Sequence, residues 1–393
     1  MRLSPQSFAM AAALTALVAV APISTDLYLP AMPAIQDAFG VTAGDVQLTL
    51  SVYLFGFAGA QLIMGPLSDR FGRRPVLVAG MSLYLAASVA CILADSIAAL
   101  VAGRFFQAAG ACAGAAVGRA VVRDIHGLKD AARLLTHMGT AMAIAPLMAP
   151  FVGGQLTAQF GWQSNFWALA GVGAALLLLV AALFPETHGA PDAMAMRPRR
   201  MAANYGALIG DASYRDHLLA LAFSFSGLFA FISGSSFVLI GDLGMAPERF
   251  GYAFGAVVMG YIVGTQAAAR FFLRRGVAHT IRVGGRIALL AGLACLLVAW
   301  TQPPSVAAVV APMFWDPMST GFVLPDAMAG AIGPVPRMAG AASALLGFSQ
   351  MSLASLAGLL VGYLHDGTPL PMMAVIAACG ALAWTFTRRV PRH

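Results

Sequence analysis

The chain has 393 residues, of which 60% are hydrophobic and only 10% charged, whereas soluble domains carry roughly 25% charged residues. So few charges cannot cover the surface of a water-soluble fold of this length, which excludes an ordinary soluble domain. The net charge of +7 comes from short basic clusters between apolar runs. It therefore indicates membrane topology and not a surface that binds nucleic acid.

The sequence carries no signal for a metal site, an ATP-binding site or an enzyme active site. The seven histidines and four cysteines show no metal-ligand spacing, and each cysteine is predicted to be a small buried hydrophobe inside an apolar segment. There is no phosphate-binding loop and no nucleophile–base pair, so we expect no cofactor, no ATP drive and no enzymatic activity. The first apolar run follows only Arg2 and lacks an A-x-A cleavage site, so no cleavable signal peptide is expected.

Twelve apolar segments are long enough to cross a bilayer, which takes about 20 residues. Lipid offers no partner for backbone polar groups, so we expect helices, and the runs are too continuous for barrel strands. The spans are predicted at 8–30, 46–67, 75–94, 97–121, 134–157, 163–184, 217–240, 251–272, 280–301, 305–327, 338–363 and 370–387.

The basic residues predict the orientation of these spans. If both termini are cytoplasmic, every Lys and Arg except Arg104 and Arg249 falls in a cytoplasmic loop, terminus or helix end. Cytoplasmic loops carry the excess of positive charge in membrane proteins. We therefore expect a multi-pass protein of the bacterial inner membrane with both termini in the cytoplasm.

The longest polar stretch, residues 185–215, separates six spans from six. It contains Pro191, Pro198 and three clustered arginines, and it is interpreted as a flexible cytoplasmic linker. The predicted fold is an all-α membrane protein with an N-terminal six-helix bundle at 1–184 and a C-terminal six-helix bundle at 216–393. A six-plus-six arrangement favours two pseudo-symmetric bundles with a binding site between them.

The loop after the second span combines glycines, one acid and three arginines. Its residues are Gly65, Asp69, Arg70, Gly72, Arg73 and Arg74. Glycines permit a tight turn between two helices, and a carboxylate at position 69 is favoured if it faces the N-terminus of a neighbouring helix. The arginines can pair with acids or with lipid phosphates.

Two ionisable side chains lie inside the N-terminal spans. Asp26 is expensive at membrane depth unless it is protonated, paired or facing water, so it is a candidate for proton binding; the alternative is a cap at the periplasmic helix end. Arg104 needs an anion or a wet cavity, and we expect it to pair with Asp26, with an anion on the substrate, or in a structural salt bridge. Gln107 lies on the same helical face as Arg104.

The remaining candidates are spread over both halves. Gly110, Gly114 and Gly118 favour close approach of another helix. Pro146, Pro150, Gly153 and Gly154 predict a bent, small-faced fifth span that suits either a gate or plain packing. In the C-terminal half Asp316 stands mid-span, whereas Asp326 is interpreted as structural. The candidate substrate-binding residues are Tyr28, Tyr53, Gln107, Phe225, Phe229 and Asp316.

At this point the sequence resembles a known family, the bicyclomycin and chloramphenicol resistance group (Bcr/CflA) of 12-helix drug:proton antiporters in the major facilitator superfamily. The resemblance is close in the N-terminal half and mainly topological in the C-terminal half. It rests on Thr25–Pro30, Gly65–Pro75, Arg104–Gln107, Ala120–Asp124, Ala131–Arg133, Ala149–Gly154 and Pro185–Thr187. Ala149 stands where the family's helix 5 motif has glycine, and Ser236 where relatives often have proline.

The resemblance implies the major facilitator fold, alternating access, and efflux of small drugs driven by proton entry. By position, Asp26 looks like the membrane acid of helix 1 and Arg104 like the arginine of helix 4, the pair implied in proton coupling. Asp69 looks like the gating aspartate. The expected partners are a drug-like small molecule, protons and the lipid bilayer, and we expect a monomer.

Two rival functions remain open. A dedicated transporter of one metabolite needs several buried hydrogen-bonding groups, and the spans offer few. A transporter-shaped membrane sensor has less need of Asp26 and Arg104.

Overall fold

A computed structural model of the chain describes residue 4 and residues 7–125, 146–188, 198–301 and 303–391. Every regular element in these ranges is a helix. The helices are α1 (Phe8–Asp26), α2 (Met32–Phe39), α3 (Ala43–Phe71), α4 (Arg73–Ile92), α5 (Ile97–Ile125), α6 (146–160), α7 (Gln163–Leu183), α8 (Pro198–Gly210), α9 (Ala212–Ser236), α10 (Pro247–Arg275), α11 (Val277–Thr301), α12 (Val306–Val310), α13 (Trp315–Ile332), α14 (Ala339–Leu364) and α15 (Leu370–Arg389). Short 3₁₀ turns cover Leu29–Ala31, Pro312–Phe314 and Pro336–Met338, and a π-helical segment, Phe237–Asp242, extends α9.

Eleven helical segments within the described ranges are long and apolar enough to cross a membrane. They correspond to eleven of the predicted spans. The remaining span, predicted at 134–157, begins outside the described residues and ends in α6. Several helices run past the predicted limits: α3 has 29 residues, because helices continue beyond the hydrocarbon layer that a span of about 20 residues crosses.

Two spans are broken helices. The first ends as an α-helix at Asp26, passes through the 3₁₀ turn Leu29–Ala31, and resumes as α2. The span predicted at 305–327 consists of α12, the turn Pro312–Phe314, and α13. Interrupted helices are tolerated at membrane depth where the freed backbone groups are buried in protein or line a cavity.

The chain forms two compact units. Unit 1 contains Met1–Ala31 and Val52–Pro198, and unit 2 contains Met32–Ser51 and Arg199–His393. Residues 32–51 belong to unit 2 because α2 packs on the π-helical segment Phe237–Asp242 and the start of α3 packs on α14. Within that contact, the Oγ of Ser355 donates to the backbone carbonyl of Ser51 at 2.8 Å, and Gln47 lies against Gly362.

Close helix packing in unit 1 depends on the glycines of α5. A side chain at Gly110 would collide with the backbone of α4, and one at Gly114 with the backbone of α1. Gly118 lies against the side chain of Val18 on α1. The prediction that this four-residue repeat admits neighbouring helices is therefore confirmed, and it is this close approach that places Arg104 of α5 beside α1.

In unit 2, α9 is the central helix and packs against α13, α14 and α15. Part of the unit's core is an apolar cluster that includes Leu221, Val323 and Leu346. Tyr214 belongs to this cluster, and its hydroxyl donates to the backbone carbonyl of Ala342 at 2.7 Å. The linker predicted at 185–215 contains α8, so a large part of it is helical.

Candidate functional site

Asp26 is the last residue of α1, at the break in the first span. Its side chain is buried, with 5% exposure, and its Oδ1 accepts a hydrogen bond from the Oγ1 of Thr25 at 3.2 Å. The ion pairs among the described residues join Arg73 to two acids and His365 to Asp242. Asp26 is in none of them, so no cation of the described residues pairs with its buried carboxyl group.

Arg104 is fully buried in unit 1 and lies among aromatic rings. The carbon of its guanidinium group lies 4.2 Å from the ring centroid of Tyr53, 4.7 Å from that of Tyr28 and 5.9 Å from that of Phe166. A desolvated cation–π contact contributes about 2 kcal/mol or more. The rings therefore supply much of the stabilisation that the buried charge would otherwise take from an anion.

The hydrogen bonds of Arg104 run to neutral groups. Its Nη1 donates to the carbonyl of Ser24 at 3.1 Å and to the Oε1 of Gln107 at 2.6 Å. Its Nε and Nη2 have no hydrogen-bond partner among the described residues. The expected ion pair between Arg104 and Asp26 is not formed there; instead, Arg104 is attached to the last turn of α1 two residues before that acid.

A polar network continues from Arg104 through three helices. The Nε2 of Gln107 donates to the Oγ of Ser88 at 2.8 Å, and the Oγ of Ser88 donates to the carbonyl of Tyr84 at 2.7 Å. The hydroxyl groups of Tyr84 and Ser24 are 2.7 Å apart. The network thus joins α1, α4 and α5 around the arginine, and any movement of α1 at its break changes these contacts.

The loop after α3 is organised around Arg73. Its Nη1 donates to Asp69 at 2.5 Å and to the Oγ of Ser68 at 2.6 Å, and its Nε donates to Asp124 at 2.8 Å. The Arg73 side chain is only 6% exposed, whereas that of Asp69 is 43% exposed. Arg73 therefore connects the end of α3 to the end of α5, with Asp69 on the solvent side.

The carboxylate at the N-terminus of α4 belongs to Glu186. The first two backbone N–H groups of α4, those of Arg73 and Arg74, donate to it at 2.9 and 3.1 Å, and those of Thr187 and His188 donate at 3.0 Å each. Partial burial alone raises the pKa of Glu186, but these four hydrogen bonds outweigh it and hold the pKa below its ordinary value. The helix N-terminus that we expected to attract Asp69 is thus occupied by a residue of the predicted linker.

The other loop residues have separate positions. Gly72 has φ +95°, a left-handed conformation that favours glycine, and it makes the turn between α3 and α4. Gly65 lies inside α3 rather than in the turn. Arg70 lies over the ring of Phe71 at 5.2 Å, and the Nη2 of Arg74 donates to the carbonyl of Ala181 at 2.5 Å.

The helix 5 motif lies in α6. Pro146 and Pro150 lie in its described part, and Gly153 and Gly154 are buried. A side chain at Gly153 would collide with the backbone carbonyl of Leu27. This glycine therefore packs on the residue that follows Asp26, so α6 contacts the break in the first span.

The candidates of the second half lie in unit 2. Phe225 and Phe229 stack on one another along α9, with ring centroids 6.4 Å apart. Asp316 is in the first turn of α13 and is 1% exposed, and its Oδ2 has no hydrogen-bond partner among the described residues. Asp326, ten residues further along α13, is only partly buried. The candidates thus form two groups, one around Arg104 in unit 1 and one on α9 and α13 in unit 2.

Some side chains around Arg104 were not predicted. Phe166 is an ordinary apolar residue of its span, and nothing in the sequence relates it to Arg104, 62 positions earlier. Tyr84 and Ser88 lie four residues apart on one face of α4, which is a weak signal for a polar stripe. Ser24 contributes its backbone carbonyl, which no residue pattern reports.

A comparison with family models decides the family. Residues 14–358 match the model of the Major Facilitator Superfamily. The chain belongs to this superfamily. It is therefore a transporter and not an enzyme, and the predicted all-α major facilitator fold is confirmed.

Individual relatives agree with this assignment. The chain is 29% identical to a bicyclomycin resistance protein homolog of Haemophilus influenzae, covering 91% of this chain and 90% of the relative. It is 30% identical to the multidrug resistance protein MdtL of Escherichia coli, covering 94% and 92%. The resemblance to the bicyclomycin and chloramphenicol resistance group is confirmed. The xylose transporter XylE of Escherichia coli shares the fold, with a TM-score of 0.74 at 13% identity over 97% of both chains.

Proposed function

We propose that this transporter exports small, mostly apolar drugs across the bacterial inner membrane in exchange for protons, by alternating access. The observation that carries the proposal is Asp26: a buried carboxyl group at a helix break, without a cation in contact among the described residues. An ionised carboxylate is costly in such a place. A group that must be neutral when buried, and can ionise when water reaches it, is suited to carrying a proton.

Arg104 has a positioning role in this proposal. Arg104 donates to the carbonyl of Ser24 and lies over the ring of Tyr28. These two residues stand on either side of Asp26 in the sequence. A conformational change that moves the end of α1 therefore alters the environment of both the arginine and the acid. Tyr28, Tyr53 and Gln107 serve as candidate substrate contacts of unit 1, and Phe225, Phe229 and Asp316 as those of unit 2.

The loop after α3 is proposed to govern the conformational balance. Its arginine joins α3 and α5 through Asp69 and Asp124, and the carboxylate of Glu186 fixes the start of α4. We further propose that the chain consists of two six-helix bundles, at 1–184 and 216–393, joined by the linker between them. The protein is proposed to be a monomer with both termini in the cytoplasm.

Two lines support drug efflux over transport of one metabolite. The names of the relatives from Haemophilus influenzae and Escherichia coli refer to bicyclomycin and multidrug resistance. In unit 1, Gln107, Ser88 and Tyr84 bond to neighbouring protein groups, whereas a narrow metabolite site needs such groups for its ligand.

The test is proton movement in everted membrane vesicles on addition of chloramphenicol, bicyclomycin and tetraphenylphosphonium. The proposal expects proton release from energised vesicles with at least one compound, in vesicles containing the protein and not in vesicles with an empty vector. Drug accumulation that persists after the proton gradient is collapsed would contradict the proposed coupling.

A further inference from the structure

We propose that Asp316 is a second proton-carrying group, so that each unit of the transporter contributes one acid to the exchange. This inference rests on the proposed drug–proton exchange and deepens it. It starts from a parallel between the units: in unit 1 an acid ends the helix before a break, and in unit 2 an acid lies in the first turn of the helix after a break.

No cation pairs with Asp316 in the part of the chain that the structure describes. The titratable groups that interact with it are the thiols of Cys295 on α11 and Cys379 on α15. No charged side chain of α9, α10, α11, α14 or α15 in the described ranges forms an ion pair with it. Its Oδ2 also has no hydrogen-bond partner there, so none of the described residues is a counterion that would keep the group permanently ionised.

The fold leaves room for the carboxyl group at this position. Gly227 of α9 lies opposite, and a Cβ at that position would stand 3.1 Å from the Oδ1 of Asp316. One turn further along α13, the Oγ1 of Thr320 donates to the carbonyl of Ser224 at 3.1 Å, which fixes α13 against α9. The carboxyl group is therefore held at a defined place on the α9–α13 contact.

Two opposing influences act on the charge of Asp316. Burial disfavours the ionised form, whereas the start of a helix favours a negative charge. A group under both influences can change its protonation state when hydration changes. This suits a step in which water reaches the α9–α13 contact in one conformation and is excluded in the other.

Asp316 is also a candidate substrate contact, but its place in the fold suits a proton better than a drug. Gly227 lies against its Oδ1, the thiols of Cys295 and Cys379 interact with it, and the Cys295 thiol already donates to the thioether of Met313 at 3.7 Å. A cavity of about 590 Å³ in unit 2 is lined by Met245, Arg249, Tyr252, Ala253, Val306, Ala307 and Val310, and Asp316 does not line it. A proton needs no volume, while a cationic drug does.

The first arm of the test needs no substrate. Infrared difference spectra of the purified protein in lipid are recorded against pH for wild type, Asp26→Asn, Asp316→Asn, the double variant and Asp326→Asn. Each of the first two single variants is expected to lose one carboxyl band, and the double variant both. Asp326→Asn, on the same helix, should keep them. An Asp316→Asn spectrum identical to that of wild type overturns the proposal.

The second arm counts protons per drug in proteoliposomes, with chloramphenicol as a neutral probe and tetraphenylphosphonium as a cationic one. Asp316→Asn is expected to halve the protons exchanged for each chloramphenicol molecule. Loss of tetraphenylphosphonium transport alone, with the proton count unchanged, identifies Asp316 as an anchor for cations and overturns the proposal.

The two arms also separate this inference from the function on which it rests. If neither probe moves protons in wild type, the proposed exchange fails, while the infrared titration still decides whether Asp316 is protonated. If Asp316→Asn does not fold, Gly227→Ala replaces it, because the added methyl group should shift the Asp316 band without removing it. An unshifted band in folded Gly227→Ala would contradict the assignment.

Discussion

The guanidinium carbon of Arg104 lies 4.2 Å from the ring centroid of Tyr53, and the hydroxyl of the same tyrosine donates to the carbonyl of Ala21 at 3.3 Å. The arginine of α5 and the backbone of α1 are thus connected through one residue of α3. Because the ring lies close to a buried charge, removing the whole ring should reduce stability more than removing the hydroxyl group alone.

The first prediction separates these two contributions. Tyr53→Phe keeps the ring and should stay close to wild type, since a neutral hydrogen bond contributes only about 0.5–1.5 kcal/mol. Tyr53→Leu removes the cation–π contact and should lower the free energy of unfolding by about 2 kcal/mol, together with drug-driven proton flux. Thermal unfolding in detergent and flux in proteoliposomes measure the two effects. Equal behaviour of both variants would mean that the ring does not stabilise Arg104.

Replacement of Arg104 tests its positioning role. Lysine keeps the charge but lacks the planar face and forked donors of arginine, so Arg104→Lys should fold and retain part of the flux, while Arg104→Ala should lose more. Since no ion pair joins Arg104 to Asp26 in the structure, the flux in Arg104→Lys should fall without a change in the pH of half-maximal rate. The measurement is proton flux against pH, normalised to folded protein. A displaced pH profile would show direct electrostatic coupling of the two residues.

Asp69→Ala should slow turnover more than it weakens drug binding. Asp69 is exposed and lies at the end of α3, and Arg73 keeps its second acid, Asp124. The expected result is a reduced transport rate with nearly unchanged drug affinity, because the change alters the balance between conformations. Asp124→Ala, which removes the more buried partner of Arg73, should reduce the rate further. Normal transport with lost drug binding in Asp69→Ala would refute the assignment.

Glu186→Gln should loosen the start of α4. The variant loses the negative charge at the helix N-terminus, a contribution of about 0.3–1 kcal/mol, so hydrogen exchange at the Arg73 and Arg74 amides should accelerate. Because the folded-state pKa of Glu186 is lowered, its stabilising effect is complete above the ordinary pKa and disappears as the pH falls through the lowered one. After correction for the intrinsic pH dependence of exchange, the Arg73 and Arg74 amides should lose protection as the pH falls in wild type only.

The matched control is Glu248→Gln, which removes an acid from the first turn of α10. It should leave exchange in α4 unchanged. If the Arg73 and Arg74 amides exchange as slowly in Glu186→Gln as in wild type, the charge of Glu186 does not contribute to holding the start of α4.

The sequence predicts the helices and the two ionisable positions of the first half, because apolar runs and isolated charges are local features. It also predicts that Arg104 and Gln107 share a face, since their spacing is helical. It names Tyr28 and Tyr53 as candidates but does not predict that aromatic rings surround Arg104, because these rings come from three other segments and meet only through tertiary packing. It assigns Glu186 to a flexible linker, because a helix N-terminus more than a hundred residues earlier in the chain is invisible to a local pattern.

The most direct measurement is drug-driven proton movement by purified wild type and Asp26→Asn in proteoliposomes, with folded protein and drug binding measured in parallel. Asparagine has nearly the same shape as aspartate but cannot exchange a proton, and the Thr25 hydroxyl can still donate to its side-chain oxygen. We expect Asp26→Asn to fold and bind drug while its proton movement is lost or greatly reduced. Proton movement at the wild-type rate and stoichiometry in Asp26→Asn would contradict the assignment of Asp26 as a proton carrier.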